Sequence, residues 1–346
     1  MPTIFDLVTS NEITAYWQLK TQDREPYMGE ELFPDEQQLG LEIKDIRGAK
    51  GTPVVLKPSA FDVAAIPRPR IGFEALRAEM PFFKESKYID EELRQELNKV
   101  IDSGNTAYVD TIMRYIFDDE IELIEGAAAQ RERMRMSALT TGAILIEGNG
   151  QLYEYDYLMP DDHKVTVTTS WSDESATIID DIRNGIEKIR EDTGDEVARA
   201  VTSSKILGYM RKNTEIRQTI NSDSQQNAYI SDAKLKQFLS DEFGIEVVTN
   251  DKKYVDEQGK TQRYVPEDVF VMSPSGYLGK TKFGTTPEQS DLLASSVANV
   301  TITDTGVAVT TTKKTDPVQV STKVTQICLP SFPMAESVYI IDVNFD

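Results

Sequence analysis

Cysteine and histidine are almost missing from this sequence, and each absence removes a class of chemistry. The 346 residues hold one cysteine, Cys328, and one histidine, His163. A single cysteine allows no disulfide within the chain, no Cys-x-x-Cys pair and no cysteine-ligated zinc. A Ser-His-Asp triad or a histidine-based metal centre would have to be built on His163 alone. Positive charge is also short: 37 Lys and Arg stand against 58 Asp and Glu, for a net charge of −21. Such a chain can neutralise few phosphates and is a poor candidate for wrapping nucleic acid. Anionic membrane surfaces should repel it as well. No apolar run approaches the roughly 18 residues that a membrane span needs. Residues 1–6, Met-Pro-Thr-Ile-Phe-Asp, lack a basic n-region and an apolar h-region. No signal peptide is therefore expected, and the chain reads as an intracellular product.

What is present suffices for a sizeable core, spread over about two domains at roughly 150 residues each. Residues 3–20 place Ile4, Phe5, Leu7 and Val8, then Ile13, Tyr16, Trp17 and Leu19, at helical spacing. Such a helix must dock on something. Residues 21–38 are polar and interrupted by Pro26, Gly29 and Pro34, which predicts an extended arm and not a core element. In 39–85, Leu39, Leu41, Ile43 and Ile46 run mostly at period two, Gly48 and Gly51 suit a turn, and Ile71, Phe73 and Ala75 suit a return strand. Pro53, Pro58, Pro67 and Pro69 argue against a central place in a sheet, since each lacks the ladder N–H. The segment is a projecting hairpin. Periodicity leaves open whether its edges meet solvent or another subunit.

Residues 86–142 are expected to be helical, the first helix starting at Ser86 or Asp90 and ending at Gly104. The second keeps a stripe through Tyr108, Ile112, Tyr115, Ile116, Leu123, Ile124, Ala127, Met134 and Ala138 from about 106 to 139. That is roughly 50 Å of helix at 1.5 Å per residue. It lacks a strict heptad seam, which favours a spine lying on a sheet over a coiled-coil arm. Strand patterns follow around 152–157 and 164–169. A helix spans 175–193 up to Gly194, and 195–300 alternates strand and helix, with Ser203 and Ser231 as N-caps. The chain turns β-rich over 307–312, 318–329 and 338–343. The fold class is α+β.

The search for chemistry yields decoys. Residues 274–281, Pro-Ser-Gly-Tyr-Leu-Gly-Lys-Thr, end like a phosphate loop at Lys280. However, Pro274 stands where the first glycine belongs, and 282–287 make a poor first helical turn. Asp161, Asp162 and His163 could offer metal ligands, but they follow Pro160 as a turn would, and a solvated turn is the plainer reading. Asp118, Asp119, Glu120, Glu122 and Glu125 could form a carboxylate face on the long helix. With Arg131, Arg133 and Arg135 following, intrahelical or intersubunit ion pairs are the plainer reading. Trp17, Trp171 and the 14 tyrosines suit core or interface anchors. No catalytic, cofactor-binding or metal residue is assigned, and no cofactor is expected.

The order of these parts resembles the major capsid proteins of tailed bacteriophages with the HK97-like fold, and more narrowly the lambda-type branch, the phage major capsid protein E family. The resemblance is carried by Ile4-Phe5-Asp6-Leu7, the proline-rich stretch 54–69 and Met80-Pro81-Phe82-Phe83-Lys84-Glu85 leading into Tyr88-Ile89. It is carried further by the spine with Arg131, Arg133 and Arg135, by 205–213 (Lys-Ile-Leu-Gly-Tyr-Met-Arg-Lys-Asn), and by Ser331-Phe332-Pro333-Met334 before 338–343. It implies an N-terminal arm over 1–38, an E-loop over 39–85, a P-domain with the spine over 86–180, an A-domain over 181–304, and a return segment over 305–346 that completes the P-domain. The implied function is a shell protein that assembles into hexamers and pentamers around double-stranded DNA, without enzyme activity. Implied partners are further copies of the chain, a scaffolding protein and a portal, and packaged DNA without specific binding. The resemblance leaves a decoration protein open and implies no membrane partner. The chain would be found in the virion and assembled in the bacterial host cytoplasm. Two other readings are a phosphohydrolase using Lys280, or Asp161, Asp162 and His163, and a phage tail or adaptor subunit.

Overall fold

The threonine- and valine-rich alternation near the C-terminus builds the principal sheet. The computed structural model describes residues 4–22, 24–43, 78–89, 91–102, 106–148, 150–221, 229–295, 298–316 and 318–344. Val318–Ser331 is a 14-residue strand that serves as the sheet's axis. Val307–Thr315 pairs along one side, Phe82–Ile89 along the other, and Lys280–Phe283 along its C-terminal part, all antiparallel. Asn299–Thr303 extends the sheet beyond Val307–Thr315, and Asp35–Gln37 adds a short parallel strand beside Lys280–Phe283.

The spine helix, Thr106–Thr141, has 36 residues, close to the expected span. Ile116, Ile124 and Met134 of the expected stripe, joined by Ile121 and Leu139, share a core with Val320, Val324, Ile327 and Leu329 of the long strand, whereas Tyr108 and Tyr115 of that stripe are exposed. Polar contacts fix the register. Gln326 Nε2 donates to the Ala127 carbonyl at 3.0 Å, and Lys87 Nζ reaches Asp119 at 2.6 Å and Glu122 at 2.7 Å.

A second sheet runs in the order Lys164–Thr166, Tyr339–Asp342, Val269–Pro274, Val197–Thr202, Glu246–Thr249. The helices Ile178–Thr193, Ser204–Lys212 and Asp232–Phe243 cover it. They enclose a core of their own around Trp171, Ile182, Ile206, Leu239 and Phe270. Cap signals are used as expected: Ser203 accepts from Ile206 N–H and Ser231 from Lys234 N–H. Gly194, at φ 75°, ends its helix in the left-handed conformation that glycine adopts without steric cost. Asn213 separates the helix Ser204–Lys212 from a second one, Thr214–Ile220, because its side chain caps Ile216 and also donates to the Ala176 carbonyl at 2.7 Å.

Three expectations change. Residues 82–89 form a strand, so the first helix does not start at Ser86 but at Glu91, next to the other expected start, Asp90. Pairing over the full length with Val320–Ile327 outweighs the helix propensity of Lys84 to Lys87. Residues 21–38 are not a free arm. Met28–Leu32 is a short helix, Leu32 and Phe33 are fully buried, and Phe33 meets Phe332 edge-on at 5.4 Å. Two successive apolar residues suffice there because the local backbone is satisfied. Glu132 accepts from Gly29 N–H with both oxygens at 3.1 Å, and Leu278 N–H donates to the Leu32 carbonyl at 2.8 Å. Finally, Ala143–Gly148 is an unanticipated strand that pairs with Gln151–Asp156 in an isolated hairpin.

For the projecting hairpin, only the stem is described: Glu42–Ile43 pairs antiparallel with Ala78–Glu79. The expected turn at Gly48 and Gly51, the four prolines and the return strand at Ile71, Phe73 and Ala75 lie outside the described residues.

Candidate functional site

Each candidate cluster proves to be a set of ties between elements. Asp161–His163 is a single 3-10 turn, and His163 is fully buried instead of solvated. Its Nδ1 lies 3.0 Å from the Val338 carbonyl, which can only accept, so this nitrogen carries a proton. Its Nε2 lies 2.9 Å from Asp192 Oδ2. Asp162, His163 and Asp192 bring three donor atoms within 4.8 Å of one another, the spacing a cation could use. Lys188 already fills that role, with Nζ at 2.6 Å from Asp162 and 2.9 Å from Asp192. Hydrogen bonds from Lys188 hold both carboxylates below their ordinary range, and the same bonds raise the ammonium's pKa. The cluster staples the turn to the helix Ile178–Thr193 and to the approach of the closing strand.

Lys280 opens a β-strand, not a helix. Its Nζ pairs with Glu36 at 2.6 Å, and Lys282 holds the other oxygen of the same carboxylate at 3.1 Å. Gly279 passes so close to the Ser331 carbonyl that a Cβ would stand 1.9 Å from it. This glycine serves backbone packing, and no ring of amides faces a phosphate. Lys280→Ala is expected to alter no nucleotide affinity. Calorimetry with ATP should show no binding to either protein, and wild-type binding that the variant loses would restore the phosphate-loop reading.

On the spine, the acidic stretch and the arginines do not pair with each other. Asp118 accepts from Tyr16 at 3.0 Å and Lys20 at 2.8 Å, which secures the helix Ser10–Thr21. Asp119 and Glu122 hold Lys87 of the strand Phe82–Ile89. Arg131 reaches Gln326 at 3.0 Å and Asp304 at 2.8 Å, and Arg133 reaches Glu257 at 2.5 Å. Arg135 donates to Thr281 at 2.8 Å and pairs with Asp35. The partners are thus other elements of the same chain, where intrahelical or intersubunit pairs were expected. Glu120 and Glu132 are buried, and burial pushes each up to about 7. Trp17 and Trp171 are core anchors, whereas Tyr88, Tyr115 and Tyr229 are exposed.

A cavity of about 320 Å3 lies between the segment 17–35, the spine and residues 304–305, lined by Trp17, Arg24, Glu30, Asp35, Arg131 and Asp304 among others. Arg24 lies over the rings of Trp17 and Tyr27, at 6.0 and 4.2 Å, while Arg131 and Asp35 hold the ion pairs above. What these contacts produce is a fixed shape: a helix strapped to a sheet, a second sheet with its own core, and a short stem of Glu42–Ile43 and Ala78–Glu79.

The profile of the family described as phage major capsid protein E matches residues 9–343. The chain belongs to this family. No curated protein matches it in sequence. Among solved structures, the putative capsid protein of a prophage of E. coli CFT073 is similar at 15% identity and a TM-score of 0.59, over 97% of this chain and 99% of that one. A phage-related protein from Bordetella bronchiseptica RB50 is similar at 14% identity and a TM-score of 0.53, over 97% of each chain. This capsid protein therefore has the α+β HK97-like fold expected from the order of its elements. Its family and fold are those of structural shell-forming proteins and not of enzymes. It associates with copies of itself and forms part of the virion. None of the described helices is long and apolar enough to cross a membrane.

Proposed function

We propose that this capsid protein assembles into hexamers and pentamers of an icosahedral shell around double-stranded DNA, with residues 44–77 reaching onto a neighbouring subunit. The observation that carries this reading is the stem. Glu42–Ile43 and Ala78–Glu79 pair with each other and belong to neither large sheet. Among the described residues, both large sheets are built from strands outside the stem.

We place the E-loop between the stem strands, the P-domain around the spine and the principal sheet, and the A-domain around the second core. Residues 82–89 then belong to the P-domain, since they pair with Val320–Ile327. The arm serves its own subunit through Leu32, Phe33 and Asp35, so loop contacts carry more of the assembly than arm contacts. A scaffolding protein and a portal would take part in assembly in the host cytoplasm, and a decoration protein stays an open question. The charge of −21 suits a container whose DNA must stay mobile, because few phosphates can be neutralised.

Deleting residues 48–70 is expected to leave a soluble subunit with wild-type circular dichroism that closes no shell under electron microscopy. Shells of normal size from this variant would remove the loop from the mechanism. Tubes from the wild-type chain would favour the tail reading.

A further inference from the structure

The exposed face of the hairpin Ala143–Gly148/Gln151–Asp156 has a composition that the rest of the chain can answer. In its register Leu145 stands opposite Glu154 and Glu147 opposite Leu152, so these four side chains share one face. Ile144, Ile146 and Tyr155 on the other face are buried, and Tyr155 donates to the Glu79 carbonyl at 2.8 Å. The outer face is left open, with Leu145 at 58% and Leu152 at 64% exposure. Glu147 and Glu154 are exposed and form no ion pair among the described residues. Two leucines and two unpaired carboxylates on one small sheet call for a partner that is apolar and cationic.

The strand Phe82–Ile89 carries such a surface. Lys87 points to the spine, where it meets Asp119 and Glu122, so Phe82, Lys84, Ser86 and Tyr88 lie on the opposite face. Phe82 is 39% and Tyr88 67% exposed, and Lys84 Nζ lies 5.8 Å from the Phe82 ring. Across the long strand, Lys314 pairs with Gln319 and stands on the same face as Ser321, the residue opposite Tyr88. Lys323, also on this face, is already neutralised by Glu288 at 2.5 Å. Lys84 and Lys314 form no ion pair among the described residues. In both strips an apolar side chain and a charge of one sign stand two residues apart along a strand, about 7 Å.

We propose that the outer face of the hairpin 143–156 of one subunit docks on the Phe82–Lys84–Tyr88 strip of the next, pairing Glu147 and Glu154 with Lys84 and Lys314. This rests on the shell-forming role and adds which surfaces meet. The contact is heterologous, so successive copies form a ring wherever the rotation between them closes. It also resolves a difficulty of charge. Subunits at −21 repel each other at long range, and a contact that sets the uncommon free lysines of one copy against carboxylates of another orients the encounter.

The test is charge exchange in the full-length chain. Glu147→Lys with Glu154→Lys, and separately Lys84→Glu with Lys314→Glu, should each reduce shell yield at least tenfold by sedimentation and electron microscopy. The chain carrying all four changes should regain most of that yield. Thermal unfolding of the unassembled fractions confirms that each variant folds. Reversals that assemble like wild type, or a four-fold variant no better than its parents, would overturn the proposal while leaving the shell-forming role intact. A wild-type chain that makes no shells would instead remove that role. A second measurement does not depend on yield. Leu145→Cys with Tyr88→Cys should give an oligomer ladder on a non-reducing gel, absent from either single variant, because the native Cys328 is fully buried. Shells without that ladder would also overturn the contact.

Discussion

Replacing Arg135 with methionine should destabilise the subunit by about 3–5 kcal/mol, the range for removing one member of a buried ion pair. The guanidinium is only 1% exposed and is held by Thr281 Oγ1 and by the Asp35 carboxylate. Methionine restores most of the volume, so the loss isolates the polar terms. Asp35 would keep its charge in a part-buried position without its partner, and Thr281 would lose a donor. Both partners lie where the arm's short strand joins the principal sheet, so the arm should loosen before the rest unfolds. Arg135→Lys keeps the charge but not the paired donors and should cost about half as much. Against a total stability of about 5–15 kcal/mol this is a large effect. Denaturant midpoints measure it, and a methionine variant within about 0.5 kcal/mol of wild type would mean that solvent already relieves the pair.

The second large effect is a fall in stability as pH rises through the neutral range. Glu120 and Glu132 have an ordinary pKa of 4.5 and are pushed up to about 7, chiefly by burial. Between these values the folded chain binds more protons than the unfolded chain, so its stability decreases with rising pH. From pH 5.5 to pH 8 each residue should remove about 2 kcal/mol. Glu120→Gln and Glu132→Gln should each flatten the profile by that amount and be more stable than wild type at pH 8. In Glu132→Gln the amide oxygen can still accept from Gly29 N–H, which keeps the arm seated. The opposite trend, from carboxylates with lowered values such as Asp118 and Asp192, lies below about pH 4 and stays outside this window. Parallel profiles for wild type and variants would show that both carboxylates stay ionised, with water reaching them.

Both buried glutamates could have been found in the sequence. Ile116, Glu120 and Ile124 follow at i, i+4, as do Ala128, Glu132 and Met136, so each carboxylate interrupts an apolar stripe on the spine. The charge run conceals Glu120, because Asp118, Asp119 and Glu122 beside it face outward. The spine, the helix caps and most strands of the second sheet were legible because helical and alternating periods persist there over many residues. The seating of the arm is not legible in the sequence because Leu32 and Phe33 are too few to form a period, and their burial depends on Phe332, some 300 residues away. The strands at 82–89 and 143–148 are hidden for related reasons. The alternation in 82–89 sets Lys87 on the inner face, where carboxylates of the spine answer it, so hydropathy marks no core side. Ala143 to Ile146 is a short apolar run that continues the helix's composition beyond Gly142, which ends the helix at φ 70°.

The two tryptophans fall one to each core. Trp17 is 4% exposed in the core around the spine, with the Arg24 guanidinium 6.0 Å from its ring. Trp171 is 1% exposed in the second core, packed against Phe270, with its indole N–H on Asp181 at 2.8 Å. The molecule thus carries a separate native fluorophore in each half. Emission from a Trp17→Phe chain reports the second core alone, and emission from a Trp171→Phe chain reports the first. Superimposable melting curves from the two chains are the optical signature of halves that unfold as one cooperative unit, and displaced curves that of halves with independent stabilities.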